Sequence, residues 1–255
     1  MHSFCRTGLV AMATVAFLAA ADAPYMGKWK LNLAKSKLTG ETLSIEKTPS
    51  GSMKYVTAEV SYDFKTDGKE YPTPRGATVI WKEEGPNTWT VTNRRNGQVT
   101  ATFHLVVKEN TLVVIAERKT PDAGIIKDSS KFTRESGGPG IVGKWKSTEV
   151  KAAAASMELA PNGSDGLTLK DLDFGVDCAA KFDGKDYPLT GPQAPAKTTL
   201  SFKKTGPSSF EMTEKIEGKP VYVDAFSVSP DGKTLTDDGN PASVKEPTKA
   251  VYDRE

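Results

Sequence analysis

Apolar and polar residues alternate with a period of two along much of this chain. The clearest examples are the segments 56–62 and 172–178, which lie 116 residues apart. Their apolar positions are Val56, Ala58, Val60 and Tyr62 in the first segment, and Leu172, Phe174, Val176 and Cys178 in the second. Because successive side chains of a β-strand point to opposite faces, each segment is predicted to form one strand with a buried face and a solvated face.

The chain contains the same domain twice. The motif GKWK at residues 27–30 recurs at 143–146, and DGKEYP at 67–72 recurs as DGKDYP at 183–188. Further matched positions are Trp81 and Phe202, Trp89 and Phe210, and the segments 132–135 and 252–255. Collinear matches of this kind indicate a duplication. We therefore predict copy 1 at residues 24–135, a Gly-rich linker at 136–141 and copy 2 at 142–255.

Turn signals divide each copy into short strands. Asp-Gly pairs at 67–68, 183–184 and 231–232, and an Asn-Gly pair at 96–97, supply the positive φ angles that tight hairpins need. Short runs rich in Thr and Val lie between the turns, and their spacing predicts roughly seven to nine strands per copy. The predicted fold is all-β, with two tandem small antiparallel up-and-down β-barrels. A β-sandwich is the alternative.

The first 23 residues have the pattern of a secretory signal peptide. An apolar run from Gly8 to Ala21 precedes the cleavage-like sequence Ala21-Asp22-Ala23. The run has roughly 14 residues, fewer than the ~20 that a membrane-spanning helix needs, although an N-terminal anchor is the alternative. We expect a secreted or periplasmic protein that begins near Pro24 and has no membrane span.

Charge and cysteine content narrow the function classes. The net charge is +2 and the charged residues are interspersed, so no basic run marks the chain as a nucleic-acid-binding protein. After removal of the leader, Cys178 is the one cysteine left, which excludes an internal disulfide and favours a small buried side chain. We expect a monomer.

The motif G-x-W near the start of each copy, with an Arg near its end, resembles the lipocalin and fatty-acid-binding superfamily. The resemblance implies a lipocalin-like barrel of roughly eight to ten strands whose closed end is filled by the Trp and covered by the Arg. It pairs Trp29 with Arg134, and Trp145 with Arg254. A guanidinium over an indole is worth about 1–2 kcal/mol when partly desolvated. The chain also resembles uncharacterised exported bacterial proteins that carry G-x-W-K-L-N, D-G-K-[DE]-Y-P and D-G-K-T-L-T.

Candidate chemistry is sparse. His104 is the one histidine outside the leader and Cys178 lies in the other copy, which argues against a transition-metal site. The aspartates at 171, 173 and 177 suggest a solvated strand face, with Ca²⁺ as the alternative. The acid pairs of the repeated motif are Asp67 with Glu70, and Asp183 with Asp186; we interpret both as turn residues. No catalytic residue, metal or cofactor is predicted.

The repeated aromatic residues are the candidates for ligand contact. They are Tyr71, Trp81 and Trp89 in copy 1, and Tyr187, Phe202 and Phe210 in copy 2. The same residues could instead fill the barrels, because small barrels are usually packed with side chains. We predict a non-enzymatic exported protein that binds a small apolar or amphipathic molecule. The alternatives are a non-catalytic interaction module of the cell envelope, and a hydrolase or isomerase that uses carboxylates alone.

Overall fold

The computed structural model describes residues 23–58, 60–120, 124–152, 155–241 and 247–255. Apart from Ala23, the predicted signal peptide at residues 1–23 lies outside the described residues. Within them the protein is all-β, and its strands form two ten-stranded antiparallel sheets that curl into nearly closed barrels. The predicted pair of up-and-down barrels is thereby confirmed, with ten strands in each instead of seven to nine. No helix in the described part of the chain is long and apolar enough to cross a bilayer.

The first barrel is built from consecutive strands. The first strand in the described part of the chain is β1 (Gly27–Leu31), which does not join the strands that follow it. The strands of the first barrel are β2 (Thr42–Lys47), β3 (Met53–Val56), β4 (Ser61–Phe64), β5 (Asp67–Pro72), β6 (Thr78–Gly85), β7 (Thr88–Arg95), β8 (Gln98–Lys108), β9 (Thr111–Thr120), β10 (Gly124–Ser136) and β11 (Gly143–Lys151). The sheet order is β4-β3-β2-β11-β10-β9-β8-β7-β6-β5, and a short turn joins the two edge strands β4 and β5.

The second barrel combines β1 with the rest of the chain. Its other strands are β12 (Ser156–Asn162), β13 (Gly166–Asp171), β14 (Val176–Lys181), β15 (Tyr187–Pro188), β16 (Thr198–Gly206), β17 (Ser209–Ile216), β18 (Lys219–Val228), β19 (Thr234–Pro241) and β20 (Thr248–Arg254). The sheet order is β14-β13-β12-β1-β20-β19-β18-β17-β16-β15. A β-bridge between Asp177 and Thr190 links the two ends of the sheet.

Each barrel contains the first strand of the other sequence repeat. Strand β11 of copy 2 lies between β10 and β2, and β1 of copy 1 lies between β20 and β12. The repeats therefore do not coincide with the barrels. The loop 137–142 between β10 and β11 is short, so the two strands close as a hairpin at low entropic cost. Along its length the chain crosses between the barrels twice, once before β2 and once before β12.

The single strands predicted over 56–62 and 172–178 are wrong. The chain turns between β3 and β4, where the Thr57 amide donates to the Val60 carbonyl at 2.9 Å. It turns again between β13 and β14, where the Asp171 carboxylate accepts from the amides of Asp173 and Phe174 at 3.0 and 3.1 Å. A side chain that accepts hydrogen bonds from the nearby backbone stabilises a turn. The chain therefore turns at this place, although apolar and polar residues continue to alternate through it.

Aromatic side chains fill much of both interiors. Phe64 stacks on Trp81 in the first barrel, with ring centroids 4.2 Å apart, and Phe210 stacks on Phe226 in the second at 4.7 Å. Cys178 is fully buried in the second barrel and unpaired, as the sequence predicted. Burial raises the pKa of its thiol to about 11, so the thiol is protonated and unreactive at neutral pH.

Candidate functional site

An Arg lies over a Trp at the closed end of each barrel. The Arg134 guanidinium lies 3.9 Å from the Trp145 ring centroid and donates to the carbonyls of Val142 and Gly140 at 3.0 and 2.6 Å. In the second barrel Arg254 lies 4.1 Å from the Trp29 ring. The predicted partners are therefore wrong, although the predicted contact is present in both barrels. The strand exchange is the reason, because it places each Trp beside the Arg of the other repeat.

The glycine of each G-x-W motif makes room for this Arg. A Cβ atom on Gly143 would collide with the Ser136 carbonyl and would lie 3.0 Å from Arg134 Nη1. A Cβ atom on Gly27 would lie 2.5 Å from Arg254 Nη1. Both glycines have positive φ angles, which other residues rarely adopt. The motif thus belongs to the structure of the closed end, away from the cavity mouth.

The first barrel encloses a cavity of about 420 Å³. Its wall is mostly apolar and is contributed by most of the strands of that barrel. The larger wall residues are Leu43, Tyr55, Tyr62, Val79, Trp81, Phe103, Leu105 and Phe132. The Trp81 indole donates to the Tyr62 hydroxyl at 3.3 Å, which satisfies a polar group inside this wall.

Three arginines lie in the wall of this cavity, at a place that we call its mouth. Arg75, Arg95 and Arg118 line it together with Asp128, which forms an ion pair with Arg118. Arg95 Nη1 donates to the carbonyls of Arg75 and Ala194 at 2.8 and 3.1 Å. Burial, together with the charge of Arg75, lowers the pKa of Arg95. The cavity wall is therefore mostly apolar, and its charged side chains are grouped at the mouth.

The second barrel contacts the first at this mouth. Arg75 forms an ion pair with Glu214 at 2.6 Å, and both side chains are only 19% exposed. Gln193 donates to the Lys119 carbonyl at 2.8 Å, and Arg118 lies 5.2 Å from the Phe174 ring. We use the name seam for these three contacts together with the hydrogen bond from Arg95 to the Ala194 carbonyl. Three residues of the cavity wall, namely Arg75, Arg95 and Arg118, thus take part in the seam.

The interior of the second barrel carries acids at positions where the first barrel has Asn or apolar residues. Four residues lie one on each of the adjacent strands β17 to β20: Glu214, Asp224, Asp237 and Tyr252. Each of them lies two positions along its strand from the residue that pairs directly with the preceding member. They therefore form a diagonal row on one face, which we call the acidic row. The strands of the first barrel pair in the same way, and the residues at the equivalent positions all line the cavity. They are Asn93, Phe103, Val114 and Phe132.

Burial changes the acidity of this row. Burial, reinforced by the Glu214 charge, raises the pKa of Asp224 to about 7. Burial and the charges of Asp224 and Asp238 raise the pKa of Asp237 to about 8. The pKa of Tyr252 is also raised, chiefly by burial. Asp237 is thus held largely protonated at neutral pH, and Asp224 is partly protonated there.

Of the six aromatic candidates, Trp81 lines the cavity. Trp89 is buried in the core of the first barrel, and Phe202 and Phe210 are buried in the core of the second. Two tyrosines close the repeated turns: Tyr71 donates to Asp67 at 2.9 Å and Tyr187 to Asp183 at 3.1 Å.

The acid pairs of the repeated motif are exposed: Asp67 and Glu70 lie in β5, and Asp183 and Asp186 lie in the loop before β15. Asp67 accepts from the Lys69 amide at 3.1 Å, and Asp183 accepts from the Lys185 amide at 3.0 Å. Glu70 pairs with Arg94 at 3.2 Å, and Asp186 pairs with Lys215 at 2.6 Å. These contacts favour the turn interpretation over a pair of catalytic carboxyls.

The sequence interpretation missed the arginines of the mouth and the acids of the row. A signal for the acids was present, because Asp224 and Asp237 occupy strand positions that are apolar in copy 1. No group of three or more His, Cys, Asp or Glu in the described ranges is arranged to hold a metal ion. His104 is exposed on the outer face of β8.

No protein-family model matches the sequence, and a search of curated proteins finds none of significant similarity. Function has therefore to be inferred from the cavity, the seam and the acidic row.

Proposed function

We propose that the first barrel binds one small apolar or amphipathic molecule in its cavity. The cavity of about 420 Å³ carries this proposal. Ligand pockets commonly have volumes of about 300–1,000 Å³ and mostly apolar walls with a few polar groups. At ~30 Å³ per water, this cavity has the volume of about 14 water molecules, which suits a compact ligand. The leader predicted at residues 1–23 supports a secreted or periplasmic site of action.

The charge distribution suggests how such a molecule lies. Its apolar body would contact Trp81, Phe103 and Phe132 in the depth of the barrel. Its polar end would lie near the mouth, where Arg75 and Arg95 supply N–H donors. This orientation keeps the polar end near hydrogen-bonding groups and removes the apolar body from water, which contributes about 25 cal/mol per Å² of buried apolar surface.

The experiment is a fluorescence titration with an anilinonaphthalene dye, followed by displacement with straight-chain and ring compounds. Ala116 is a small wall residue, so Ala116→Phe should fill part of the cavity and weaken dye binding roughly tenfold or more, equivalent to 1.4 kcal/mol. Ile115→Phe is the matched control, because Ile115 is the neighbouring residue and is 41% exposed. It should leave binding unchanged. Equal binding by both variants, or no binding by the unaltered chain, would reject the proposal.

A hydrolase or isomerase that uses carboxylates alone is the second candidate, favoured by Asp224 and Asp237. A carboxyl with a pKa near neutrality can accept and return a proton during a reaction. Turnover of a chromogenic ester or glycoside should then disappear in Asp224→Asn and Asp237→Asn, while Asp183→Asn on an exposed turn retains it. No turnover by the unaltered chain on ester, glycoside and phosphate substrates would eliminate this candidate.

A further inference from the structure

The wall of the first-barrel cavity changes from apolar to cationic along single strands. On one face of β7, Trp89 and Val91 are buried in the core, and Asn93 and Arg95 follow at every second position. Val91, Asn93 and Arg95 line the cavity, and on β9 the wall residues likewise end in Arg118. A molecule that lies along these strands would have one end among apolar side chains and the other beside guanidinium groups.

Arg95 differs from the other two arginines of the mouth, because it forms no ion pair with a carboxylate of the described residues. Arg118 pairs with Asp128, and Arg75 pairs with Glu214 of the second barrel. Arg95 is partly buried, and the charge that acts on it is that of another cation, Arg75. A charge that is removed from water is costly without a counter-charge. An anion beside Arg95 would supply it.

The Arg95 guanidinium also has one edge available for hydrogen bonding. Its Nη1 donates to the carbonyls of Arg75 and Ala194 at 2.8 and 3.1 Å, which hold the group in place. Nε and Nη2 form the opposite edge, and within the part of the chain that the structure describes they donate to no protein acceptor. Such an edge matches the two oxygens of an acid group and binds them through two parallel hydrogen bonds.

We propose that the ligand of the first barrel is a monoanionic acid, with a carboxylate or sulfonate on a compact apolar body, and that Nε and Nη2 of Arg95 bind its acid group. This inference rests on the binding function proposed above and names the chemical class of the ligand.

The other charges at this place favour a single negative charge on the ligand. Besides its partner Asp128, Arg118 lies in the field of Asp171 and Asp173 of the second barrel. These carboxylates would repel a second anionic group near Arg118. One acid group at Arg95 therefore fits the mouth better than two.

The test uses two dyes with the same rings and different charge. N-phenyl-1-naphthylamine is neutral, and 8-anilino-1-naphthalenesulfonate carries one sulfonate. Fluorescence titration of the full chain measures the dissociation constant of each dye. Arg95→Gln should weaken binding of the sulfonate dye about tenfold, because it removes the charge and the donor edge, and should leave binding of the neutral dye unchanged.

Arg94→Gln is the matched control. It removes the same charge from the neighbouring residue, whose side chain pairs with Glu70 on the exposed surface and is not part of the cavity wall. Both dyes should bind this variant as they bind the unaltered chain. A second measurement needs no variant: 2-naphthoate should displace the neutral dye from the unaltered chain at about tenfold lower concentration than 2-naphthylmethanol.

An unchanged affinity of Arg95→Gln for the sulfonate dye would overturn the proposal, and so would equal displacement by 2-naphthoate and 2-naphthylmethanol. Either result would leave intact the binding of the neutral dye and its loss in Ala116→Phe, which support the cavity as a binding site. Binding of neither dye by the unaltered chain would reject both the proposed function and this inference.

Discussion

Replacing Asp224 by asparagine should stabilise the protein at alkaline pH and change it little at acid pH. Asp224 is 8% exposed, and its folded-state pKa of about 7 is well above the ordinary 3.8. The stability that this raised pKa contributes is fully present below about pH 4 and is lost as the pH rises through about 7. At 1.36 kcal/mol per pH unit, the difference corresponds to about 4 kcal/mol. Relaxation and water penetration reduce this, so we expect a gain of about 2–4 kcal/mol.

The assay is equilibrium urea unfolding at about pH 5 and about pH 8.5. The free energy of unfolding of the unaltered chain should be lower at the higher pH, and Asp224→Asn should remove that part of the loss. Asp183→Asn is the control, because this exposed turn carboxylate accepts from Lys185 and Tyr187 and its pKa is lowered. It should lose a little stability to the same extent at both pH values, because a lowered carboxylate pKa contributes stability at all pH values above about 4. If Asp224→Asn were no more stable than the unaltered chain at pH 8.5, the raised pKa of Asp224 would be refuted.

Three further predictions concern the closed ends and the strand exchange. Arg134→Ala should destabilise the first barrel by about 2–4 kcal/mol, because it removes the contact with Trp145 and two charge-assisted hydrogen bonds. Thermal melting measures this loss, and Arg134→Lys should recover part of it. Gly143→Ala should lower the melting temperature, whereas Gly138→Ala, whose Cβ would meet open space, should not. A fragment of residues 42–151 contains all ten strands of the first barrel and should melt cooperatively on its own. A fragment of residues 156–255 should not, until a peptide carrying β1 is added. Independent folding of that fragment would contradict the exchanged arrangement.

The barrels could be predicted from sequence because their determinants are local. The Asn-Gly pair at 96–97 and the Asp-Gly pair at 231–232 lie in hairpin turns, and the period of two fixes which side chains face inward. The Asp-Gly pairs at 67–68 and 183–184 lie instead where the chain passes between the two edge strands of each sheet. The G-x-W motif with a later Arg predicted the closed-end contact. Within a segment the alternation was less reliable, since the side chain of Asp171 caps a turn where a continuous strand was expected.

The strand exchange could not be predicted from the repeat. Strands β1 and β11 both begin with GKWK, so each fits either barrel and makes the same contact with an Arg. The connection decides between the arrangements. A short loop favours the hairpin of β10 and β11, and loop length is a property of the linker that the similarity of the repeats does not reveal.

Most of the candidate site was missed, Trp81 excepted, because repeated residues were favoured. A residue present in both copies is one that both barrels need, and Trp89, Phe202 and Phe210 are accordingly core residues. The functional difference lies where the copies differ. Phe103 lines a cavity, and its counterpart Asp224 is a buried acid of the second barrel. A comparison of the two copies position by position would have identified these residues.

The measurement that tests the central claim most directly is native mass spectrometry of the full chain purified from its own host, beside Ala116→Phe prepared in the same way. Bound molecules would be extracted and identified, and an empty chain would be offered a panel of lipids, pigments and sugars. A binding cavity in the first barrel predicts one discrete molecule per chain and its loss in Ala116→Phe. An empty chain that acquires nothing from the panel, or equal occupancy in the variant, would contradict the claim.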